Sequence, residues 1–259
     1  MLDIVKNDLK KISNSEKTYD GVYEDEMASV YDLFYSDIDG WYEGQKKIVE
    51  DNYNGKTLEL ACGTGILLSM LEDNIDITGL DISSSMIRVA KERVDCPLIQ
   101  GDFNSINMES DFDTVVMLGN PLNHYPVSEA QEVISNVKEL LSENGVFIYD
   151  IVPHSKWNTE SDLNIGVANP DGFRITRAAF SQTIERAVHN TYKNKVYFNY
   201  RIKDLETGSH NSISIDIDFY SHRLDKHREF LKDNGFTILD EGENEYLKER
   251  KKYYMIASN

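Results

Sequence analysis

Cysteine and proline are scarce in this chain, which has two cysteines and five prolines among its 259 residues. Two cysteines are too few for a disulfide scaffold, and Cys62 and Cys96 do not have the spacing of a zinc site. The opening sequence MLDIVKNDLKK lacks a long apolar run, so we expect neither a signal peptide nor a membrane span. These absences favour a protein of the reducing cytoplasm with no membrane partner.

Positive charge is also scarce. Lys and Arg number 27 against 45 Asp and Glu, which gives a formal net charge of −18. Because phosphate backbones repel such a surface, a nucleic-acid partner is not expected. An acidic field of this kind also attracts a cationic amine, although solubility alone accounts for much of such an acid excess.

The segment Thr57–Leu71, TLELACGTGILLSML, is the most informative part of the chain. It reads as a short apolar strand, a tight turn on Gly63 and Gly65, and the start of an apolar helix. Glycines allow the backbone to approach a ligand closely, and the free N–H groups of the helix start point at its polar groups. This pattern predicts a cofactor-binding turn.

Two later strands end on acidic residues. IDITGLDIS ends on Asp81, about 20 residues after the glycines, where an acid reaches ribose hydroxyls. CPLIQGDF leads into Asp102 and Phe103, an acid that can accept from an exocyclic amine and a ring that can cover a purine. Taken singly, Asp81 is also consistent with a helix cap and Phe103 with a core residue. Together, such strand ends predict a nucleoside site, because ligands collect there in open α/β sheets.

The run ELACGTG, followed by GLDIS, GDF, FDTVVMLGN and GVFIYDIV, resembles the class I methyltransferases that use S-adenosylmethionine, over roughly residues 20–155. The resemblance implies an α/β fold with a doubly wound, Rossmann-like and mainly parallel sheet. One departure is Ala61, where the family most often has glycine. The turn also lacks the pattern G-x-G-x-x-G, which favours a methyl donor over a nicotinamide cofactor.

The resemblance further implies S-adenosylmethionine as cofactor, S-adenosylhomocysteine as its product, and no metal. Glu59, Ala61, Gly63 and Gly65 would surround the methionine part, Asp81 would hold the ribose, and Asp102 with Phe103 would hold adenine. Tyr23 and Tyr31 resemble N-terminal tyrosines of the family that face the sulfonium. The full cofactor-binding set is Tyr31, Glu59, Ala61, Gly63, Gly65, Asp81, Ile82, Met86, Asp102, Phe103 and Leu118.

Methyl transfer from a sulfonium is an in-line displacement, so the protein must mainly bring the nucleophile close and exclude water. A protonated amine must first lose its proton. Candidates follow the fourth strand in LGNPLNHYP, where His124 could accept that proton and Asn120 could orient the amine. We therefore predict Asn120, His124 and Tyr23 as catalytic residues, with an ordinary loop histidine as the alternative for His124. His154 and His222 are weaker candidates.

The region after the fifth strand changes character. From Phe173 to Tyr220 the sequence alternates with period two in FRITRAAF, TIERAVHN, KVYFNYRI and SISIDIDFY, with breaks at Tyr192–Asn194 and Glu206–Ser209. We expect an inserted antiparallel sheet. The expected organisation is a helical cap at residues 1–55, a cofactor-binding core at 56–157 and 221–259, and a substrate lid at 158–220. The helix SEAQEVISNVKELLSENG is expected to end on Gly145.

The insertion resembles the branch of the family that methylates amines of amino sugars, amino acids and modified peptides, although it is also consistent with a dimer interface. A narrower resemblance is to the enzymes that dimethylate the terminal arginine amine of azole-containing, plantazolicin-type peptides. It implies that Asp39 and Asp162 grip the guanidinium and that Trp41 offers a ring face.

Three alternatives remain open: an amino-sugar N,N-dimethyltransferase, a small-molecule O-methyltransferase, and a cofactor binder without activity. Asn120-Pro121 partly resembles nucleic-acid adenine methyltransferases, but Leu122 and Asn123 break that pattern. The sequence does not give the substrate, the number of methyl groups or the oligomeric state.

Overall fold

The computed structural model describes residues 2–14, 21, 23–35, 40–103, 108, 111–154, 163–186, 192–243 and 253–259. These residues form a seven-stranded sheet, a four-stranded antiparallel sheet and seven α-helices. No helix among them is both long and apolar enough to cross a membrane.

The seven-stranded sheet has the order β10-β11-β5-β4-β1-β2-β3. Its strands are β1 (Thr57–Leu60), β2 (Ile77–Asp81), β3 (Leu98–Gln100), β4 (Phe112–Met117), β5 (Leu141–Ile151), β10 (Thr237–Glu243) and β11 (Tyr253–Ser258). All neighbours pair in parallel except β11, which is antiparallel to both β5 and β10. The predicted α/β fold with a mainly parallel sheet is confirmed. Chain order reverses at β1, whose neighbours are β2 and β4, and such a switch point opens a crevice at the carboxyl ends of the strands.

Helices cover both faces of this sheet, which explains why β1 and β4 are apolar runs buried on both sides. The helices are α1 (Asp3–Ser13), α2 (Met27–Tyr35), α3 (Trp41–Asn52), α4 (Ile66–Leu71), α5 (Ser84–Ala90), α6 (Val127–Leu140) and α7 (Leu224–Asp233). Helices α3, α4 and α5 share one apolar cluster with Val116 and Ile148, while α6 and α7 pack with Phe147 and Tyr149 in another.

Helix α6 ends at Leu140, so the expectation that it continues to Gly145 is wrong. Leu141 already pairs with Phe112 of β4, and Asn144 has a positive φ of 66°, a conformation that a helix does not contain. The strand register therefore overrides the helical pattern of the sequence at this junction.

The predicted antiparallel sheet is present between β5 and α7. Its strands, in the order β6-β7-β8-β9, are β6 (Leu163–Ala168), β7 (Phe173–Arg186), β8 (Tyr192–Asp204) and β9 (His210–Ser221). The break expected at Glu206–Ser209 falls between β8 and β9, but β7 is one continuous strand and Tyr192–Asn194 starts β8. Strand β6 was not predicted. Its apolar residues Leu163, Ile165 and Val167 alternate and are exposed, while a Cβ at the intervening Gly166 would lie 3.1 Å from the Phe34 ring.

One face of this sheet packs on the two N-terminal helices. Val5, Leu9 and Ile12 of α1 join Phe173 and Ile202 of the sheet in a single buried cluster. Because α1 and α2 cover the inserted sheet, residues that are far apart in sequence are buried together.

A chain of buried hydrogen bonds joins the end of the inserted sheet to the central sheet. His222 Nε2 lies 2.9 Å from the Tyr125 carbonyl oxygen, and His222 Nδ1 lies 3.1 Å from His227 Nε2. The Tyr149 hydroxyl lies 3.3 Å from His227 Nδ1. With both rings neutral, the donors run in one direction from Tyr149 to the Tyr125 carbonyl. Burial lowers the pKa of His222 to about 4 and that of His227 well below its usual value.

Acid should therefore destabilise the fold. A depressed histidine pKa means that the unfolded chain binds more protons between about pH 6.5 and pH 4, so stability falls as pH falls through this window. Each such ring contributes about 1.4 kcal/mol per pH unit there. We expect His222→Asn to lower the number of protons taken up on unfolding by about one in this window, which makes the free energy of unfolding less dependent on pH. Denaturant titration at pH 7, 6 and 5 measures this. Equal pH dependence in both proteins would contradict a neutral buried His222.

Candidate active site

A cavity of about 280 Å³ lies where β1, β2 and β4 end. The structure brings most of the residues predicted from the sequence to its wall: Tyr23, Tyr31, Trp41, Glu59, Ala61, Gly63, Asp81, Ile82, Met86, Asp102, Phe103, Leu118 and His124. Gly65 and Asn120 are not among the lining residues. Asp39 and Asp162 lie outside the described residues.

The Asp81 carboxylate joins two turns of the cavity wall. Its Oδ2 accepts from the Gly63 N–H at 2.8 Å, and its Oδ1 accepts from the Ser83 N–H at 2.8 Å. The Ser83 side chain caps α5 by accepting from the Met86 N–H at 3.1 Å. Ser83 is therefore the helix cap, and Asp81 links the glycine turn to the next βα turn.

The glycine turn has three residues with positive φ. Gly63 has a φ of 56°, and a Cβ placed there would meet no described atom within 4 Å, so its backbone faces open space. Gly65 has a φ of 75°, and its Cβ would lie 3.2 Å from the Ala90 Cβ, so this glycine allows α4 to start close to α5. Ala61 has a φ of 56°, where a side chain adds strain of about 1 kcal/mol. The strain lies in the wall of the cavity.

Glu59 is a buried acid at the end of β1, with 4% of its surface exposed. Its Oε2 has no hydrogen-bond partner among the described residues. Burial, and then the nearby Asp81 carboxylate, raise the pKa of Glu59 to about 8. A cationic donor in the cavity would satisfy this oxygen and stabilise the ionised form.

Asp102 and Phe103 line the cavity after β3. Phe103 is 9% exposed, belongs to the main core cluster and contacts the Tyr125 ring edge-on at 6.3 Å. It lines the cavity while packing in the core, so the two interpretations of Phe103 do not exclude each other. Ile82, by contrast, is 67% exposed at the cavity wall.

Tyr23 and His124 contact each other in the cavity wall. The Tyr23 hydroxyl lies 3.4 Å from His124 Nε2, and the Tyr31 ring lies 5.8 Å from the Tyr23 ring. The Ser83 hydroxyl donates to the Tyr23 carbonyl at 2.6 Å, which fixes the N-terminal segment to the β2–α5 turn.

His124 is held neutral by its surroundings. Burial lowers its pKa to about 4, against a smaller opposing effect of a hydrogen bond to the Asp218 backbone on β9. Phe219 contacts the imidazole ring edge-on at 5.6 Å. Its Nε2 lies beside the Tyr23 hydroxyl, and the tautomer of the ring determines which of these two groups donates. The inserted sheet thus contributes Asp218 and Phe219 to the surroundings of a cavity residue.

Asn120 and Asn123, at the same strand end, are not among the residues that line the cavity. Asn120 has a φ of 59°, its N–H donates to Asp150 Oδ1 at 2.5 Å, and its buried Oδ1 has no partner among the described residues. Asn123 donates to the Val152 and Tyr220 carbonyls and so joins β5 to β9.

The two weaker histidine candidates also lie away from the cavity. His154 stacks on Tyr192 at 4.3 Å, and His222 belongs to the buried chain described above. Neither is among the cavity residues.

Two buried carboxylates fasten the N-terminal helices to this site. Asp32 of α2 accepts from the Thr64 hydroxyl of the glycine turn and from Arg93. Asp8 of α1 accepts from Arg88 at 2.7 Å. In both ion pairs the carboxylate is buried. The pairs hold α1 and α2 against α5 and the glycine turn.

Sequence reasoning missed several cavity residues. Gln45 and Tyr42 on α3 and Glu24 before α2 all line the cavity. A signal for Gln45 was available, because it lies four residues after Trp41 and residues at that spacing share one helix face. No such local signal marks Glu24.

The charge of the cavity wall is one-sided. Glu24, Glu59, Asp81 and Asp102 line it, whereas no Lys or Arg occurs among the described lining residues. Such a wall suits a ligand with positive charge, together with a nucleoside that Asp81 and Phe103 can contact.

Residues 57–145 match a family described as a methyltransferase domain. The chain is 24% identical over 207 residues to a putative methyltransferase of Geobacillus sp. (strain WCH70), which covers 76% of this chain and 80% of that protein. It is 26% identical over 169 residues to a dTDP-3-amino-3,4,6-trideoxy-alpha-D-glucopyranose N,N-dimethyltransferase of Streptomyces venezuelae, covering 62% and 71% respectively. The solved sugar N-methyltransferase KedS8 of Streptoalloteichus sp. has a similar fold, with a TM-score of 0.76 at 18% identity over 95% of this chain and 97% of that one.

The strand order and the cavity at the carboxyl ends of the strands are those of a class I methyltransferase. With the matching domain at residues 57–145, the chain is an S-adenosylmethionine-dependent methyltransferase. S-adenosylmethionine is its cofactor.

The buried Glu59 should reduce stability in alkaline solution. Its pKa is raised to about 8 in the folded state, so folding binds a proton and the free energy of unfolding falls as pH rises from about 4.5 to 8. We expect Glu59→Gln to be more stable than the wild type at pH 8.5, by on the order of 2 kcal/mol, and closer to it at pH 5. Thermal unfolding without cofactor at both pH values measures this. A variant that is equally destabilised at both would contradict the assigned pKa shift.

Proposed function

We propose that this protein is an N-methyltransferase that acts on an amine of a small molecule or a modified peptide. The observation that carries the proposal is the neutral His124, whose Nε2 lies beside Tyr23 in a cavity lined by acidic residues. The names of the Streptomyces relative and of the KedS8 structure, which refer to N-methylation of sugars, support the same reaction type.

The cavity residues fit the cofactor in three respects. Glu59 offers a buried acceptor without a partner for the methionyl ammonium, Gly63 leaves open space beside its backbone, and Asp81 presents two oxygens at the ribose position. Asp102 and Phe103 are proposed for adenine. The bound cofactor supplies an electrophilic methyl group on a sulfonium. The surrounding residues position the two reactants and exclude water.

His124 is proposed to accept a hydrogen bond from the neutral amine. With a pKa of about 4 the imidazole is too weak a base to hold the proton of an alkylammonium ion. It can, however, accept an amine N–H at Nε2 in place of the Tyr23 hydroxyl, and so direct the nitrogen lone pair away from itself. The amine therefore reacts as the fraction that is already neutral, or after losing its proton to water.

The charge of the cavity wall limits the kinds of acceptor molecule that the site can bind. Four acidic residues line the cavity without any Lys or Arg among the described lining residues, which disfavours phosphate and favours an ammonium or guanidinium group. We therefore favour an acceptor molecule whose groups other than the amine are uncharged or positively charged. The terminal arginine amine of an azole-containing peptide is the narrower form of this proposal, with Trp41 as a ring face and with Asp39 and Asp162 as the guanidinium-binding acids.

The antiparallel sheet is proposed as the lid of this site. Asp218 and Phe219 of β9 contact His124 directly, so the insertion forms part of the wall behind the acceptor. The second candidate function is N,N-dimethylation of an amino sugar, which the Streptomyces relative favours.

An acceptor panel tests the reaction. Purified protein with S-adenosylmethionine is given arginine-capped peptides, a free amino sugar, the same sugar linked to a nucleoside diphosphate, and a phenol, and S-adenosylhomocysteine release is measured. We expect turnover on unphosphorylated amines and little on the phenol or the nucleotide-linked sugar. Cofactor binding without turnover on any amine would contradict the enzyme assignment. Preference for the phenol would favour O-methylation.

Removing the His124 acceptor should slow the reaction without weakening cofactor binding. We expect His124→Phe to lower kcat by about 10- to 100-fold, the effect of losing one buried hydrogen bond in the transition state. The affinity for S-adenosylhomocysteine, measured by calorimetry, should be unchanged. His154→Phe, a matched change outside the cavity, is the control and should retain the wild-type kcat. An unchanged kcat in His124→Phe would remove His124 from the proposal.

A further inference from the structure

Gln45 is a buried amide in the cavity wall. It lies on α3, is 2% exposed, and its Nε2 has no hydrogen-bond partner among the described residues. Buried amide groups are almost always hydrogen-bonded, because leaving the donor without a partner costs free energy. The missing partner of this group is an acceptor.

Glu59 has the opposite requirement in the same cavity. Its Oε2 is an acceptor without a partner among the described residues, and its carboxyl group has a raised pKa. Gln45 and Glu59 thus present one unsatisfied donor and one unsatisfied acceptor to a shared space. A ligand group that satisfies both offers an acceptor to Gln45 and a donor to Glu59, as the carboxylate and ammonium of an α-amino acid do.

The rest of the wall leaves few alternatives for an anion. The described lining residues include no Lys or Arg, and four of them are carboxylates. An anionic group in this cavity must therefore be held by neutral donors, namely backbone N–H groups and side-chain amides.

We propose that Gln45 binds the α-carboxylate of the methionyl end of the cofactor through its amide N–H, opposite the ammonium bound by Glu59. This inference rests on the proposed cofactor site. It assigns the recognition of the carboxylate to a neutral residue of the N-terminal segment, outside the matched domain at residues 57–145. A neutral donor leaves the acidic character of the cavity unchanged for a cationic acceptor.

The test compares two probes that differ only at this end. S-adenosylhomocysteine carries the amino-acid group, whereas 5′-methylthioadenosine is a nucleoside thioether without it. We expect Gln45→Leu to lower the affinity for S-adenosylhomocysteine by about 10-fold or more, the effect of losing a hydrogen bond to a charged group. The affinity for 5′-methylthioadenosine should be unchanged. Both are measured by calorimetry on the full chain.

Two further variants control for packing. Gln45→Met retains the length of the side chain without the N–H, and should reproduce the result even if the leucine variant folds poorly. Asn52→Leu makes the same amide-to-apolar change on α3, where the amide donates to the Ile48 carbonyl away from the cavity. It should leave the affinity for both probes unchanged.

Each remaining outcome overturns the assignment. Equal loss of affinity for both probes would show that Gln45 only shapes the cavity, and no loss for either would show that its amide does not contact the ligand. If the wild-type protein binds neither probe, the proposed cofactor site fails as well, which distinguishes that failure from an error about Gln45 alone.

Discussion

The Asp81 carboxylate is the constraint on which the site depends. By accepting from the Gly63 and Ser83 N–H groups, it fixes the two turns that form the cavity wall. Ser83 in turn caps α5 and donates to the Tyr23 carbonyl, so the same contact extends to the N-terminal segment. Burial raises the pKa of Asp81, and the two backbone donors offset part of that effect. The acid thus organises the polypeptide before it contacts any ligand.

The site carries several features that do not favour folding. Ala61 has a left-handed backbone, Glu59 is a buried acid without a partner for one oxygen among the described residues, and His124 is half-buried in its neutral form. The apolar clusters on both faces of the central sheet supply the stability that offsets them. Features of this kind commonly accumulate where a protein binds ligands, because a ligand can relieve them.

The fold class followed from local patterns, and the structure confirms it. The apolar strands and the glycine turn are encoded within a few residues, and parallel strands place their carboxyl ends at one edge. Local patterns were less reliable where strand pairing decides the outcome. Leu141 continues the helical pattern of the sequence but pairs with β4 in the structure. Strand β6 was missed although Leu163, Ile165 and Val167 alternate along it. The two catalytic candidates after β4 also differ in position: His124 lines the cavity, whereas Asn120 is not among its lining residues.

The sequence alone determined the residues at the ends of β1, β2 and β3, because each follows its strand directly and strand direction fixes its position. Only the tertiary structure decided which groups from other segments meet them. Gln45 reaches the cavity because α3 packs beside α4, and Asp218 reaches His124 because β9 returns to the end of β4. Such contacts depend on the packing of elements far apart in the chain, and no short-range pattern of residues encodes them.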